Sequence, residues 1–230
     1  MRAAIIPARG GSKRIPRKNI KPFCGQPMIA WSIKAAIKSG LFDRIIVSTD
    51  DDEVAAIARQ YGAEVPFMRP PHLSDDHCGT VPVIAHAAEW LKAAGESVEA
   101  LACIYATAPM IEADDLQRGL EALTSSGADY AFSVTSYAFP IQRAVKLAPS
   151  GRVLMFDPAQ QETRSQDLEE AFHDAGQFYW GTAEAWTQEK PVMGEGSAAV
   201  VLPRHRVQDI DTPEDWVRAE AMMKSLRGLD

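Results

Sequence analysis

A chain of 230 residues with 46% hydrophobic content is long enough for one sizeable core, and it reads as a single domain over residues 1–230. A net charge of −7 argues against general nucleic-acid binding, and no run of ~18 apolar residues offers a membrane span. The opening Met-Arg-Ala-Ala-Ile-Ile-Pro lacks the long apolar region and cleavage site of a signal peptide. With the scattered thiols Cys24, Cys78 and Cys103, this leads us to expect reduced cysteines and a cytoplasmic protein.

In chain order, residues 3–8 form a short apolar run that predicts a buried first strand, and a glycine-rich basic loop follows. Residues 28–39 have apolar positions at helical spacing, with Gly40 as a stop. A strand is expected at 44–48, a helix at 52–61 with acids in its first turn, and a short strand at 64–67. A long helix at 80–94, a strand at 101–105 and a helix at 114–124 complete the first half. This alternation predicts an α/β fold with a mostly parallel central sheet and flanking helices.

The second half is less regular. Strands are expected at 130–135, 177–181, 198–202 and 207–210, and a closing helix at 213–226. Segments 144–147 and 153–156 flank Pro149-Ser150-Gly151 and predict a β-hairpin. Residues ~136–170 then read as an insertion that could serve as a dimer contact.

Charge is unevenly placed. Residues 1–42 hold nine cations and no acid, and six of the nine lie between Arg9 and Lys21. A basic end on an acidic protein suits a compact anionic ligand such as a triphosphate. The segment Ile6-Pro7-Ala8-Arg9-Gly10-Gly11-Ser12-Lys13-Arg14-Ile15-Pro16-Arg17-Lys18-Asn19-Ile20 follows the first strand, at the sheet end where such folds bind ligands. Gly10 and Gly11 let backbone approach a phosphate, Arg9, Lys13 and Lys18 neutralise it, and Asn19 offers a hydrogen bond. The spacing matches neither a Walker loop nor the GxGxxG fingerprint.

A second cluster is Gln208-Asp209-Ile210-Asp211-Thr212-Pro213. In extended backbone, residues two apart share a face, so Asp209 and Asp211 aim together while Ile210 turns inward. Two convergent carboxylates suit Mg²⁺; a solvated acidic turn explains them equally well. Thr212 caps a helix that begins at Pro213. In Asp50-Asp51-Asp52, Asp50 or Asp51 is read as the cap of the next helix.

The fifteen-residue string resembles the signature of the CMP-sialic acid synthetase family, and the likeness runs from residue 3 to about 217. Within that family it is strongest toward the branch acting on pseudaminic acid, through Phe139-Pro140-Ile141-Gln142-Arg143, Thr163-Arg164-Ser165-Gln166-Asp167-Leu168 and Asp174-Ala175-Gly176-Gln177-Phe178-Tyr179-Trp180-Gly181. The resemblance implies a cytidylyltransferase that joins CMP from CTP to an acidic nine-carbon sugar, as a homodimer. It implies CTP contacts from Ala8, Arg9, Gly10, Gly11, Ser12, Lys18, Asn19 and Arg69, and Lys13 facing the triphosphate. It makes Asp209 and Asp211 the Mg²⁺ ligands, so the catalytic set is Arg9, Lys13, Asp209 and Asp211.

The implied sugar-facing positions are Thr80, Tyr105, Arg164, Gln166, Gln177 and Tyr179. Enzymes of this family acting on sialic acid carry a Gln-Pro-Thr-Ser-Pro-Leu-Arg run where this chain reads Tyr105-Ala106-Thr107-Ala108-Pro109-Met110-Ile111. The less polar run fits a sugar with a methyl in place of a hydroxyl. The same reaction on legionaminic or N-acetylneuraminic acid is the near alternative. A glycosyltransferase using a sugar nucleotide, or a non-catalytic nucleotide binder, is the distant one. All of these readings require the cationic loop and the aspartate pair to face each other across one cleft.

Overall fold

The computed structural model describes residues 1–75 and 78–228. The elements in order are β1 (Arg2–Pro7), β2 (Pro22–Phe23), β3 (Gln26–Pro27), α1 (Met28–Ser39), β4 (Arg44–Ser48), α2 (Asp52–Gln60), α3 (Thr80–Ala93), β5 (Ala100–Ile104), α4 (Ala113–Ser126), β6 (Tyr130–Ser136), β7 (Val145–Leu147), β8 (Val153–Met155), β9 (Phe172–Thr182), α5 (Ala183–Thr187), β10 (Ser197–Val201) and α6 (Pro213–Arg227). Six strands form one sheet in the order β10-β6-β9-β5-β1-β4. Five run in one direction, and β9 alone runs against its neighbours β5 and β6. The sheet is thus mostly parallel, with helices on both faces, as expected.

The buried runs of β1 and β5 explain their central position. Ala3 to Ile6 and Leu101 to Ile104 are fully buried, which only strands covered on both faces require. One apolar cluster packs α1, α2 and α4 on one face of the sheet; a second packs α3 and α5 on the other. Chain entry to the two faces therefore diverges around β1, and the crevice at its carboxyl end is where such sheets place ligands.

A third cluster lies off the sheet: Ile15, Phe23, Met28, Met110, Ile210, Trp216, Ala219 and Met223. It seats one face of α6, whose start is built from Thr212 and Asp215 in a reciprocal capping box with Pro213 in the first turn.

Two expected strands are absent. Residues 64–67 make one isolated bridge, Ile46 with Glu64, and a second, Thr49 with Met68, lies just beyond them. Residues 207–210 form no ladder. There the side chain of Ile210 enters the third cluster, which draws the backbone away from the sheet, and side chains replace the ladder bonds: Lys18 Nζ donates to the Ile210 carbonyl at 2.6 Å and the Asp211 N–H donates to Asp215 at 3.1 Å. The strand expected at 177–181 begins earlier, at Phe172, because its pairing with β6 resumes beyond an irregularity between Phe132 and Val134. The hairpin in the insertion is present as the separate sheet β7–β8. Among the described residues no helix is long and apolar enough to cross a membrane.

Gly119 marks where α4 presses on the sheet. A Cβ there would lie 2.5 Å from Trp180 and 2.6 Å from Phe178, both fully buried. Gly119→Ala gains about 1 kcal/mol of helix propensity but overpacks this contact by about 1–3 kcal/mol. The expected result is a net loss of stability of about 0–2 kcal/mol in urea denaturation, with an unchanged m-value.

Candidate active site

The loop after β1 is held by its neighbours at several points. Ala8 N–H donates to the Ser48 carbonyl at 2.9 Å, so Ala8 is buried as structure while Pro7 faces the cavity. The Asn19 side chain donates to the Arg9 carbonyl at 2.9 Å and closes the loop on itself. Ile15 plugs the third apolar cluster from the loop's middle. Gly10 differs from expectation: its N–H donates to Asp50 Oδ1 at 3.0 Å rather than pointing free to a ligand. Its missing Cβ has a packing reason, since a Cβ would fall 2.6 Å from Asp51 Oδ2. Gly11 and Lys13 are exposed outside the cavity wall.

The cationic loop and the aspartate segment do meet. Arg14 pairs with Asp211 Oδ2 at 2.9 Å, and Lys18 lies 3.3 Å from Asp211 Oδ1 while donating to the Ile210 carbonyl. Ile15 and Ile210, one from each segment, share the third apolar cluster. Upstream, Arg206 forms a bidentate pair with buried Asp115 at 2.6 and 2.9 Å and so anchors the segment to the start of α4.

Asp209 is exposed, yet surrounding protein and then Asp211 raise its carboxyl above the usual range. Crowded like charges of this kind favour a cation between them. Among the described residues no three metal-type side chains cluster. Two carboxylates nevertheless fit Mg²⁺, which fills its remaining positions with water and substrate phosphates.

A cavity of about 430 Å³ lies between these segments, walled by Arg9, Ser12, Arg14, Lys18, Asn19, Arg69, Thr80, Tyr105 and Asp211, together with Cys78, Gly79 and Thr107. Arg9 also donates to the Asp75 carbonyl at 2.9 Å. Arg69 is 6% exposed. Its guanidinium donates to the carbonyls of Ser48 (2.5 Å) and Leu73 (3.4 Å), its Nε has no protein partner, and no described carboxylate bonds to it. Burial holds its pKa below the ordinary value, and Asp50 eases the charge only through space. A buried cation without a bonded counter-charge is a site made for an anion.

Beyond Thr80 and Tyr105 lies a smaller cavity of about 150 Å³ that shares both residues and adds Val81, Asp174, Tyr179, Trp186, Val192 and Met193. Thr80 and Tyr105 are joined through their hydroxyls at 3.1 Å, and Tyr179 donates to Asp174 Oδ2 at 2.5 Å. Burial raises both tyrosine pKa values, so both stay protonated donors. Gln177 is buried; its side chain donates to the Arg206 carbonyl at 2.6 Å and leaves Oε1 without a protein partner.

Arg164 and Gln166 do not join the site in this chain. They lie exposed on the insertion, where Arg164 pairs with Asp167 at 2.8 Å and Gln166 lines a groove with Phe139 and Glu169. The short connection between them forms a 3₁₀ turn that directs both side chains to its own surroundings. Two residues that stand in the quoted segments without an assigned role line the cleft as well. Arg14 faces Asp211 because Ile15 beside it is buried, and Asp174 reaches Tyr179 across the irregular start of β9.

The profile of the family described as "Cytidylyltransferase" matches residues 3–185. The chain belongs to the cytidylyltransferase family. This cytidylyltransferase is 44% identical over 220 residues to the pseudaminic acid cytidylyltransferase of Campylobacter jejuni subsp. jejuni serotype O:2, covering 96% of this chain and 95% of the relative. It is 27% identical to the CMP-N,N'-diacetyllegionaminic acid synthase of Legionella pneumophila, covering 96% and 95%. The N-acylneuraminate cytidylyltransferase of Oncorhynchus mykiss is 36% identical over 95% of the chain, which spans 49% of that relative. Among solved structures, a CMP:2-keto-3-deoxy-manno-octonic acid synthetase complexed with CTP superposes with a TM-score of 0.71 at 18% identity, covering 98% and 99% of the two chains, and shows the shared fold.

Proposed function

We propose that this cytidylyltransferase transfers CMP from CTP to pseudaminic acid and releases pyrophosphate. The observation that carries the reading is the single cavity walled by Arg9, Lys18, Arg69 and Asp211, in a chain aligned over nearly its full length with pseudaminic acid cytidylyltransferases. The triphosphate lies against the cationic loop with Arg69 beneath it, and the sugar lies toward Thr80, Tyr105 and Tyr179. The anomeric hydroxyl of the sugar attacks the α-phosphorus in line, and the bond to the bridging oxygen breaks. Such transfer asks mainly for alignment and charge neutralisation, which Arg9, Lys18 and Arg69 in the cavity wall supply to the leaving pyrophosphate.

Asp209 and Asp211 would hold Mg²⁺, which supplies Lewis-acid charge stabilisation to phosphate oxygens. The apolar walls of the smaller cavity suit a sugar that carries a methyl where sialic acid has a hydroxyl. Tyr105, where sialic acid enzymes carry glutamine, stands in the wall of both cavities, whereas Ile111, where they carry arginine, is buried in the first apolar cluster and lines neither cavity.

The protein works in the cytoplasm, where CTP is made, and as a homodimer. In support of the dimer, Phe139, Leu147, Val153 and Phe156 on the insertion are 82%, 73%, 62% and 66% exposed, and an apolar patch of that kind marks an interaction surface. Light scattering coupled to gel filtration checks this: a mass near 25.1 kDa refutes it.

The activity is tested by pyrophosphate release with each nucleoside triphosphate, with and without Mg²⁺, across a panel of pseudaminic, legionaminic and N-acetylneuraminic acids. Release restricted to CTP and fastest with pseudaminate is expected. Faster turnover of either other sugar refutes the substrate, and CTP binding with no release under any condition refutes the reaction. Tyr105→Phe removes the hydroxyl that meets Thr80 and is expected to raise the KM for the sugar about fivefold, with the KM for CTP unchanged.

A further inference from the structure

Two consecutive acids leave β4 and turn toward the loop after β1. Asp50 Oδ1 accepts the Gly10 N–H at 3.0 Å. Asp51 receives a bidentate pair from Arg17, 2.6 Å to Oδ2 and 3.0 Å to Oδ1, and Arg17 also reaches Glu53. Between those two anchors lie Gly11 to Pro16, which carry Ser12, Lys13 and Arg14. The loop is therefore fastened at both ends to one turn of backbone.

Helix capping does not account for this arrangement. Asp51 Oδ1 does accept the Val54 N–H at 2.9 Å and caps α2, but a cap needs neither Arg17 nor Asp50. Arg17 adopts φ +56, a left-handed conformation that a non-glycine residue takes at a cost. Its paired guanidinium compensates that cost. Arg17 is the residue directly before Lys18, so its backbone sets where Lys18 starts. Asp51 in turn occupies the space of a Gly10 Cβ, so glycine at one end and arginine at the other are both matched to the same carboxylate.

We propose that Asp50, Asp51 and Arg17 are positioning residues that fix the loop so that it is formed to receive the β- and γ-phosphates of the nucleotide before binding. Without the staple, ordering the loop is charged against binding energy at the moment the triphosphate arrives. The inference rests on the reading that the triphosphate lies on this loop. It predicts that the staple matters for CTP and not for CMP, which lacks the two outer phosphates.

Two variants separate positioning from folding. Arg17→Met breaks the pair, and Asp51→Ser breaks it while keeping a hydroxyl to cap α2. Calorimetric titration with CTP and with CMP, together with a thermal melt, gives the readout. In both variants CTP is expected to bind about tenfold more weakly, CMP to change less than about twofold, and the melting midpoint to stay within about 2 °C. Arg17→Lys restores part of the CTP affinity, and the KM for the sugar does not move.

Equal weakening of CTP and CMP, or a melting midpoint that falls in step with CTP affinity, makes the cluster merely structural and overturns the proposal. Unchanged CTP affinity in both variants overturns it as well. Failure of the unmutated chain to bind CTP refutes the nucleotide reading itself.

Discussion

Asp211→Ala is expected to lower kcat for pyrophosphate release by about a thousandfold, the scale of losing a preorganised charge at the reacting phosphate. Asp211 is where the chain's two chemical segments touch: Arg14 at 2.9 Å and Lys18 at 3.3 Å converge on its two oxygens. On the proposed reading its loss removes one of the two carboxylates that would hold Mg²⁺ and lets both cations turn toward the phosphates, so ground-state binding of CTP tightens or holds while the transition state is lost. The fold should survive. The Asp211 side chain is 34% exposed, and partly exposed ion pairs contribute about 0–1 kcal/mol. The segment is held instead by Ile210 in its apolar cluster and by Arg206 on Asp115.

The melting midpoint should therefore fall by no more than about 4 °C. Asp211→Asn, equal in shape and without the charge, should lose as much turnover as alanine. Retention of more than a tenth of the wild-type kcat by either variant refutes the role given to this carboxylate.

Arg69→Met should move stability and binding in opposite directions. In the unliganded protein Arg69 is a buried guanidinium bonded to two carbonyls and to no described acid. Burying such a charge costs stability, and an apolar side chain of similar length relieves the cost. The Ser48 carbonyl keeps its bond from Ala8, so little is left unsatisfied. The melting midpoint should match or exceed that of the wild type. CTP binding should weaken about a hundredfold, the worth of one or two charge-assisted hydrogen bonds in a dry site. Titration of CTP against the variant, paired with a thermal melt, reads both effects. A variant that is less stable and binds CTP normally would make Arg69 a structural strut.

The loop of the candidate site was legible because its chemistry is local. Glycines beside six cations suit a phosphate loop, and an acid-apolar-acid triplet announces a buried isoleucine between two carboxylates that point away from the core. The same local reading misplaced Gly10, whose N–H belongs to Asp50, because the partner comes from the next strand. It also drew Arg164 and Gln166 toward the proposed sugar pocket, whose walls they do not join in this chain, since nothing in a short polar segment states which way an insertion folds. Arg14 was illegible for a similar reason: its direction follows from the burial of Ile15, and that burial depends on α6.

The alternation of strands and helices, the cationic loop at the end of the first strand and the spacing of the two late aspartates are all readable from local sequence. These are written in neighbours two to four residues apart, where backbone geometry alone sets which side chains share a face. That Lys18 and Asp211, 193 positions apart, stand 3.3 Å from one another follows from long-range packing alone. Ile15 and Ile210 bury themselves against Phe23 and Trp216 in one apolar cluster, and the charged residues beside them are carried into contact. Burial of apolar surface is non-directional, so it specifies a partner only when the whole chain has packed.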